Sequence, residues 1–449
     1  MQRKSYLKPI SINQLYLLPN QTYSSDRPNR SKRSAIPNVI TLGKIEITFT
    51  CNMPNQIYPD LQKSSDQICT LVEKGLLAAA ARIQRVIFFD TTIYVDVSFG
   101  STCRELNYLA SPDSCVWNKI LGAAAPASWH EISKENAEKL ELDENYLYPS
   151  ALLKQYTPND SIWNPQDADI SASFNSDAPW WFPTVSDPLG EGSGTGGSGG
   201  PPLVRTRTRE FGLGLFTAAS ESDIYDNSMQ ANDKIYDFQQ TAAHELMHGL
   251  GFMSAWGHSM GTDSFLPGNP VLQIENGTLT GITFSKSYIF DKMMAHTATG
   301  VLLKDYADAI RTQAINILTE TSRKYPFTSF TEMFNLWQPL FLQSPAFQLS
   351  KNLQSSIATT PMQLITWYQD FSGNFHYAVL YTPRLFDDGS SISHLDATIY
   401  GGTSEYLMRP FSTSGIGIDA FTPHDRGVSV LGVGVAGILS QMGYVLHKS

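Results

Sequence analysis

The stretch HELMHGLGF, residues 244 to 252, contains two histidines and a glutamate that could bind and use a metal ion. His244 and His248 are four residues apart, which places them one turn apart on the same face of an α-helix. Two imidazoles at this spacing can bind one zinc ion, while Glu245 lies about 100° further round the helix and can reach a water instead. Catalytic zinc sites use three protein ligands and leave one position for water. The motif therefore predicts a hydrolytic zinc site whose third ligand comes from elsewhere in the chain.

The chemistry expected of such a site is hydrolysis of a carbonyl compound. Zinc lowers the pKa of a bound water and polarises a carbonyl, and Glu245 can take the proton and later pass it to a leaving nitrogen. Gly251 can adopt the positive φ that ends a helix and turns the chain beneath the metal. Six residues beyond His248 stands Ser254, whose neutral hydroxyl is a poor zinc ligand. At this point the third ligand stays open.

Length and composition restrict the classes of protein and of partner. The chain has 449 residues, of which 42% are apolar and 16% charged, enough to bury one large core or two lobes. A formal net charge of −10 argues against a nucleic-acid backbone or an anionic membrane surface as a partner. No apolar run reaches the roughly 18 residues that a membrane span needs. We expect a globular monomer with no nucleic-acid partner and no transmembrane span.

The cysteines indicate an oxidising compartment. They are even in number, confined to one segment and too widely spaced for a CxxC metal knuckle. The four are Cys51, Cys69, Cys103 and Cys115. We expect two disulfides, with three pairings open, in a secreted protein whose signal peptide is not present in this chain.

The N-terminal residues 1–38 are polar and rich in Pro, Asn and Arg, which predicts an arm or a propeptide remnant. The dibasic pair Lys32-Arg33 could be a processing site, as expected of a zymogen, and a solvated loop is the alternative. Asn-x-Ser/Thr sequons are compatible with a glycoprotein. They begin at Asn20, Asn29, Asn159 and Asn276.

Hydrophobic periodicity predicts both helices and strands. Residues 39–50, 92–100 and 167–176 have the pattern of strands, and residues 68–87 and 302–326 have that of helices. This mixture indicates an α+β protein.

The sequence HELMHGLGF resembles the HExxHxxG helix of the metzincin zinc peptidases. Leishmanolysin-like metzincins carry an insertion between that glycine and a third histidine, followed by a methionine turn. This chain has SISHLD at 391–396 and EYLMRP at 405–410, in the same order. The resemblance extends over residues 40–449, although only these motifs are specific.

The resemblance implies a site and an activity. His244, His248 and His394 would bind one Zn²⁺, Glu245 would be the catalytic base, and Met408 would form an apolar floor under the imidazoles. The implied activity is that of a secreted zinc endopeptidase acting on extended polypeptide or protein substrates.

The implied fold has two lobes with a cleft between them. Residues 39–251 would form an N-terminal catalytic lobe, with a twisted mixed five-stranded sheet plus helices, ending in the zinc helix. Residues 252–449 would form a mainly helical lower lobe that contains the insertion. The segment 252–393 is 142 residues long, too long for a structureless loop, and should be folded.

Alternatives exist for the third ligand and for the function. His258 lies close to the motif, and Glu320 or Glu332 would serve if the third ligand were a glutamate. The chain could also be a zinc-binding but catalytically silent binding or adhesion module. Pro410 stands where some metzincins have a tyrosine two residues after the turn methionine, so no catalytic tyrosine is expected.

Overall fold

The computed structural model describes residues 7–10, 38–53, 57–58, 63–101, 120–164, 166–183, 235–258, 265–275, 278–324, 330–359, 364–370, 372–387, 389–420 and 431–447. Several residues discussed above lie outside these ranges. They are Asn20, Asn29, Lys32, Arg33, Cys103, Cys115 and Asn276. Among the described helices, none combines the length and the apolar character needed to cross a bilayer.

The α-helices of the described ranges include the two that were predicted from the sequence, with ends within three residues of the predicted ones. They are α1 (Ser65–Gln84), α2 (Lys134–Leu140), α3 (Ser150–Tyr156), α4 (Phe238–Gly249), α5 (Leu303–Lys324), α6 (Phe330–Leu342), α7 (Pro345–Thr359), α8 (Ala397–Tyr400) and α9 (Val433–Met442). Two 3₁₀ turns span Ile289–Met293 and Tyr406–Met408.

The β-strands, together with these helices, confirm the α+β class. They are β1 (Leu7–Ile10), β2 (Asn38–Leu42), β3 (Ile45–Asn52), β4 (Ile57–Tyr58), β5 (Lys63–Ser64), β6 (Ile87–Phe88), β7 (Ile93–Gly100), β8 (Gly122–Pro126), β9 (Trp129–Ile132), β10 (Tyr146–Pro149), β11 (Ile170–Asn175), β12 (Trp180–Trp181), β13 (Tyr236–Asp237), β14 (Gly257–His258), β15 (Phe265–Leu266), β16 (Pro270–Glu275), β17 (Thr278–Phe284), β18 (Ser287–Tyr288), β19 (Met294–His296), β20 (Leu364–Gln369), β21 (Phe375–Val379) and β22 (Val445–Leu446).

The largest sheet is mixed and has the strand order β2-β3-β7-β11-β8. Its central strands β3, β7 and β11 are parallel, whereas the end strands β2 and β8 are antiparallel to their neighbours. The predicted strands at 92–100 and 167–176 correspond to β7 and β11. The prediction of one strand over 39–50 is wrong, because the chain reverses at Gly43, whose φ is +55°, and forms the hairpin of β2 and β3. A glycine tolerates this left-handed backbone.

Helix α4, which contains the histidine motif, packs beside α1 and against strands β8 and β11 of the sheet. Phe238, at its first turn, has aromatic neighbours on several sides at ring-centroid distances of 5.2 to 6.0 Å. They are Phe99, Phe174, Trp180 and Phe182. A Cβ atom on Gly75 of α1 would lie 2.5 Å from the Phe238 ring, and one on Gly249 would lie 2.2 Å from a methyl carbon of Ile170. These close approaches fix both ends of α4 against the fold.

The start of α4 is also tied to a segment near the C-terminus. The buried carboxylate of Asp237 accepts hydrogen bonds from the backbone N–H groups of Gln239 and Gln240 at 2.8 and 3.2 Å, as an N-cap does. Its other oxygen accepts from the N–H of Ile418 at 2.8 Å. Desolvation by burial raises the pKa of this carboxyl to about 6.

The segment after α4 is folded, and its two ends meet. The backbone N–H of Ser254 donates to the Ser393 hydroxyl at 3.1 Å, across 139 positions of sequence. Between these residues lie α5, α6 and α7 and several small antiparallel sheets, among them β16-β17 and β19-β20-β21. The segment therefore contains both helices and strands, and within the described ranges its α-helices lie between residues 303 and 359.

A disulfide joins Cys51, at the end of β3, to Cys69 in α1, at a sequence separation of 18. This disulfide occurs in one of the three cysteine pairings that the sequence left open. A cross-link closing a loop of this size contributes about 3 kcal/mol to the free energy of unfolding, mainly by restricting the unfolded chain.

Candidate metal centre

The imidazoles of His244, His248 and His394 converge on one point. Their Nε2 atoms lie 3.1 Å apart for His244 and His248, 3.1 Å for His244 and His394, and 3.0 Å for His248 and His394. Within the described ranges, these three side chains form a group whose ligand atoms are close enough to hold one metal ion. The structure thus brings together residues that are 150 positions apart in sequence.

Each of the three rings is oriented by a backbone carbonyl behind it. The Nδ1 atoms lie 2.6 Å from Leu407 O in His244, 2.8 Å from Phe252 O in His248 and 2.7 Å from Ser390 O in His394. A carbonyl only accepts, so Nδ1 must carry the proton in all three rings. Each Nε2 is then left with a lone pair that faces the other two, which is the tautomer that metal ligation requires.

The charge state of the rings agrees with ligation. Burial lowers the pKa of His244 to about 4 and that of His248 to about 3, and it lowers the pKa of His394 well below its usual value. The rings are therefore neutral at pH 7. Three lone pairs at about 3 Å repel one another unless a cation lies among them.

The spacing fits zinc. Tetrahedral zinc with nitrogen ligands at about 2.0–2.1 Å requires neighbouring nitrogens about 3.3 Å apart, and the Nε2 atoms lie within a few tenths of an ångström of that separation. An all-imidazole donor set also suits zinc better than magnesium or calcium, which prefer oxygen ligands.

Gly251 ends α4 and places the carbonyl that holds His248. Its φ is +99°, its N–H donates to His248 O at 2.9 Å, and the N–H of Phe252 donates to Met247 O at 3.1 Å. This is a Schellman motif, which explains the need for glycine. A Cβ at this position would also lie 2.8 Å from Pro149 Cγ. The turn predicted from the sequence carries the chain directly beneath the second histidine.

His394 is held by a short extension of β21. The Tyr381 N–H donates to His394 O at 2.8 Å, and the Ile392 N–H donates to Tyr381 O at 2.7 Å. Ile392 has a φ of +57°, a conformation that a β-branched residue rarely adopts. Such a backbone persists only where the surroundings enforce it, and here it lies two residues before the third imidazole.

The turn that contains Met408 connects two of the three ligand segments. Met408 is fully buried, and its carbonyl accepts from the Leu395 N–H at 2.7 Å, immediately after His394. The preceding carbonyl, Leu407 O, holds His244. The sequence pointed to Met408 but not to the carbonyls of Leu407, Phe252 and Ser390, because every residue type has a backbone carbonyl.

Glu245 lies beside the histidines at the edge of the main sheet. It is 7% exposed, and the backbone N–H of Ala124 in β8 donates to its carboxylate. Gly122 lies so close that a Cβ there would be 3.2 Å from Glu245 Cγ. Desolvation raises the pKa of Glu245 to about 8, and the hydrogen bond from Ala124 opposes this shift only in part.

The other candidate ligands lie elsewhere. Glu320 and Glu332 are exposed on α5 and α6, and the Ser254 hydroxyl donates to the buried Asp291 carboxylate at 2.6 Å. The remaining histidines with hydrogen-bonded rings have their own partners. These pairs are His130 with Ser128, His258 with Gln354, His296 with Thr299 and Ser356, and His376 with Asp370.

The raised pKa of Glu245 predicts a pH-dependent stability of the metal-free protein. The folded-state pKa is about 8 against 4.5 for the free side chain, so the contribution of this group to stability is present below pH 4.5 and is lost as the pH rises through 8. Urea unfolding of metal-free Glu245→Gln should remove this dependence. Between pH 5 and pH 8, the free energy of unfolding of the variant should rise by about 3 kcal/mol relative to that of the wild type. A constant difference across that range would contradict the buried, protonated state of Glu245.

Comparison with known proteins gives one family and one distant relative. The model of a family described as SPBPB7E8-like matches residues 23–194 and 216–449. The uncharacterized protein PB7E8.01 of Schizosaccharomyces pombe (strain 972 / ATCC 24843) is 21% identical over 474 residues, which cover 98% of this chain and 69% of the yeast protein. No solved structure matches the chain significantly.

Proposed function

The chain belongs to the SPBPB7E8-like family, and we propose that it is a zinc-dependent endopeptidase of the metzincin type. The observation that carries the proposal is the convergence of three neutral Nε2 atoms beside a buried glutamate. The order of the motifs supports it too, because HExxHxxG, a long insertion, a histidine and a methionine turn follow one another as in leishmanolysin-like metzincins.

In this proposal His244, His248 and His394 hold one zinc ion, and the carbonyls behind them keep the three Nε2 atoms unprotonated. The bound ion supplies a Lewis acid and an acidified water. Glu245 would be the residue that accepts a proton at its carboxylate and returns it to the leaving nitrogen. A pKa raised by burial suits this double role, since a base near the working pH can both accept and release a proton. With a cation held by the three histidines, the pKa of Glu245 would fall and its carboxylate form would be favoured.

The substrate in this proposal is an extended polypeptide that pairs with β8. This strand is the last in its sheet, and its residues Gly122 to Pro126 are small and largely half-exposed. A peptide can add to such an edge through backbone hydrogen bonds without regard to its side chains. Because Ala124 of β8 also donates to Glu245, a chain bound at this edge would lie beside the proposed base.

The remaining properties are proposed on the same basis. The mixed five-stranded sheet with α1 and α4 would be the upper lobe of a metzincin, and residues 252–449 would be the lower lobe. The disulfide of Cys51 and Cys69 supports a secreted protein. We propose a monomer that acts on protein or peptide substrates.

The test is cleavage of casein by the purified full-length protein, together with zinc analysis by plasma mass spectrometry. We expect about one zinc per chain, loss of cleavage with 1,10-phenanthroline, and recovery when zinc is added back in slight excess. Cleavage that survives removal of the metal would contradict the proposal. Stoichiometric zinc without cleavage of casein or of a mixed peptide library would instead favour the binding-module alternative.

A further inference from the structure

Arg409 is a buried arginine that directly follows the turn methionine. Its side chain is 7% exposed. The guanidinium donates from Nε to Tyr406 O at 3.0 Å and from Nη2 to Thr413 Oγ1 at 3.2 Å, and it lies 5.2 Å from the centre of the Tyr406 ring. Two of its five N–H groups are used in this way.

The described ranges place no carboxylate in an ion pair with Arg409. Burying an unpaired charge costs several kcal/mol, and buried arginines are therefore normally paired. Arg311, also largely buried, has Asp308 at 3.7 Å and the charge of Asp291 nearby. The chain has 42 acidic residues against 32 basic ones, so the missing partner does not reflect a shortage of acids.

Arg409 belongs to the same turn as Leu407, whose carbonyl orients a ring of the proposed metal centre. Leu407 O, two residues earlier in the chain than Arg409, lies 2.6 Å from Nδ1 of His244. The Nη1 atom of Arg409 faces the loop between the third histidine and the turn methionine, because a Cβ on Gly401 would lie 3.7 Å from it. Burial lowers the pKa of Arg409 itself, yet the group stays charged.

A second polar group of the same segment also lacks a partner within the described ranges. Ser412 precedes Thr413, which accepts from the guanidinium, and its buried hydroxyl has no hydrogen-bond partner among the residues that the structure describes. A buried cation and an unsatisfied hydroxyl in one segment each require a polar partner that the described residues do not supply.

We propose that Arg409 binds a carboxylate of the substrate, so that this peptidase prefers bonds close to a glutamate or aspartate side chain or to a free C-terminus. The inference rests on the proposed function, since it assigns a substrate class to the same site. A planar guanidinium with free N–H groups is suited to bidentate binding of a carboxylate. The carboxylate would supply the counter-charge that the described part of the protein does not.

The test compares peptides that differ only in the presence of a carboxylate. Binding of an acetylated, amidated peptide containing glutamate, of its glutamine counterpart, and of the glutamine peptide with a free C-terminus is measured by calorimetry on the full-length protein. Glu245→Gln is present throughout to prevent cleavage. Arg409→Gln is added in one sample, and Arg384→Gln, which removes an exposed arginine, serves as the matched control.

We expect at least about tenfold tighter binding of one carboxylate peptide than of the neutral one, and loss of that ratio in Arg409→Gln but not in Arg384→Gln. Which carboxylate peptide is preferred distinguishes an acidic side chain from a C-terminus. If the carboxylates bound to the metal alone, the ratio of the peptide affinities would be the same with and without Arg409. Equal binding of all peptides, or a preference unchanged in Arg409→Gln, would overturn the inference.

A cleavage assay with the parent Glu245 protein separates the two proposals. Cleavage of the peptides without a carboxylate preference would refute the role of Arg409 and leave the peptidase intact. A preference in binding without cleavage of any peptide would refute the peptidase and leave the carboxylate site. Arg409→Lys should retain part of the preference, because it keeps the charge but loses the planar fork, whereas a purely structural role would affect all peptides alike.

Discussion

Glu245→Gln is expected to retain about one zinc per chain and to lose nearly all hydrolytic activity, with kcat lower by about 10²–10⁴-fold. Glutamine has the same shape, and its side-chain oxygen can still accept from the Ala124 N–H, so the packing near β8 is preserved. It cannot take a proton from water. The three imidazoles are untouched, so the metal content should not change. The measurements are zinc analysis and casein cleavage on the same preparation.

The matched control for this variant is Glu320→Gln, because Glu320 is exposed on α5. It makes the same chemical change outside the site and should leave both readouts unchanged. Casein cleavage by Glu245→Gln at close to the parent rate would show that Glu245 is not the base.

His394→Ala is expected to lose zinc and activity together. Removing this ring leaves His244 and His248 with two nitrogens and an open cavity. Loss of a group that merely orients a ligand costs about 10–100-fold in metal affinity, so loss of a ligand itself should cost at least 100-fold. Zinc affinity is measured by competition with a chromophoric chelator, and activity by casein cleavage.

The controls for this variant are His258→Ala and His296→Ala. Both residues lie in the folded segment after α4 and hydrogen-bond to glutamine or hydroxyl side chains away from the centre. Both variants should keep zinc and activity. A His394→Ala protein that binds one zinc and cleaves casein would place the third ligand elsewhere.

Local spacing predicted the part of the site that lies on one helix. The i, i+4 pattern of His244 and His248 and the glycine at 251 can be recognised in one short stretch of sequence, because helix periodicity and the positive φ of a helix-ending turn are local properties. The Schellman motif at Gly251 has the expected form.

Local spacing could not predict the third histidine. His394 reaches the centre through contacts distant in sequence, such as those of Ser254 with Ser393 and of Leu395 with Met408 O. Only the resemblance to a known order of motifs pointed to it. The carbonyls that fix the three tautomers are positioned by the folded backbone. Every residue type has such a carbonyl, so the sequence does not indicate which ones face the rings.

The fold was predictable where hydrophobic periodicity is uninterrupted. Helix α1 and strand β7 have regular patterns, and the structure contains both. The reversal at Gly43 was missed although the alternation changes phase there, because the apolar residues stand at even positions before it (Ile40, Leu42) and at odd positions after it (Ile45, Ile47). The glycine at the change of phase was the other local signal, and a glycine within a strand pattern is by itself compatible with one strand or two.

The central claim is that one zinc ion is held by three histidines with a coordination position left for water. Crystals grown with zinc, with anomalous data collected on both sides of the zinc absorption edge, test it most directly. We predict one anomalous peak about 2.0–2.1 Å from the Nε2 atoms of His244, His248 and His394, with no fourth protein ligand. A peak elsewhere, or a fourth side chain that closes the site, would contradict a catalytic zinc centre.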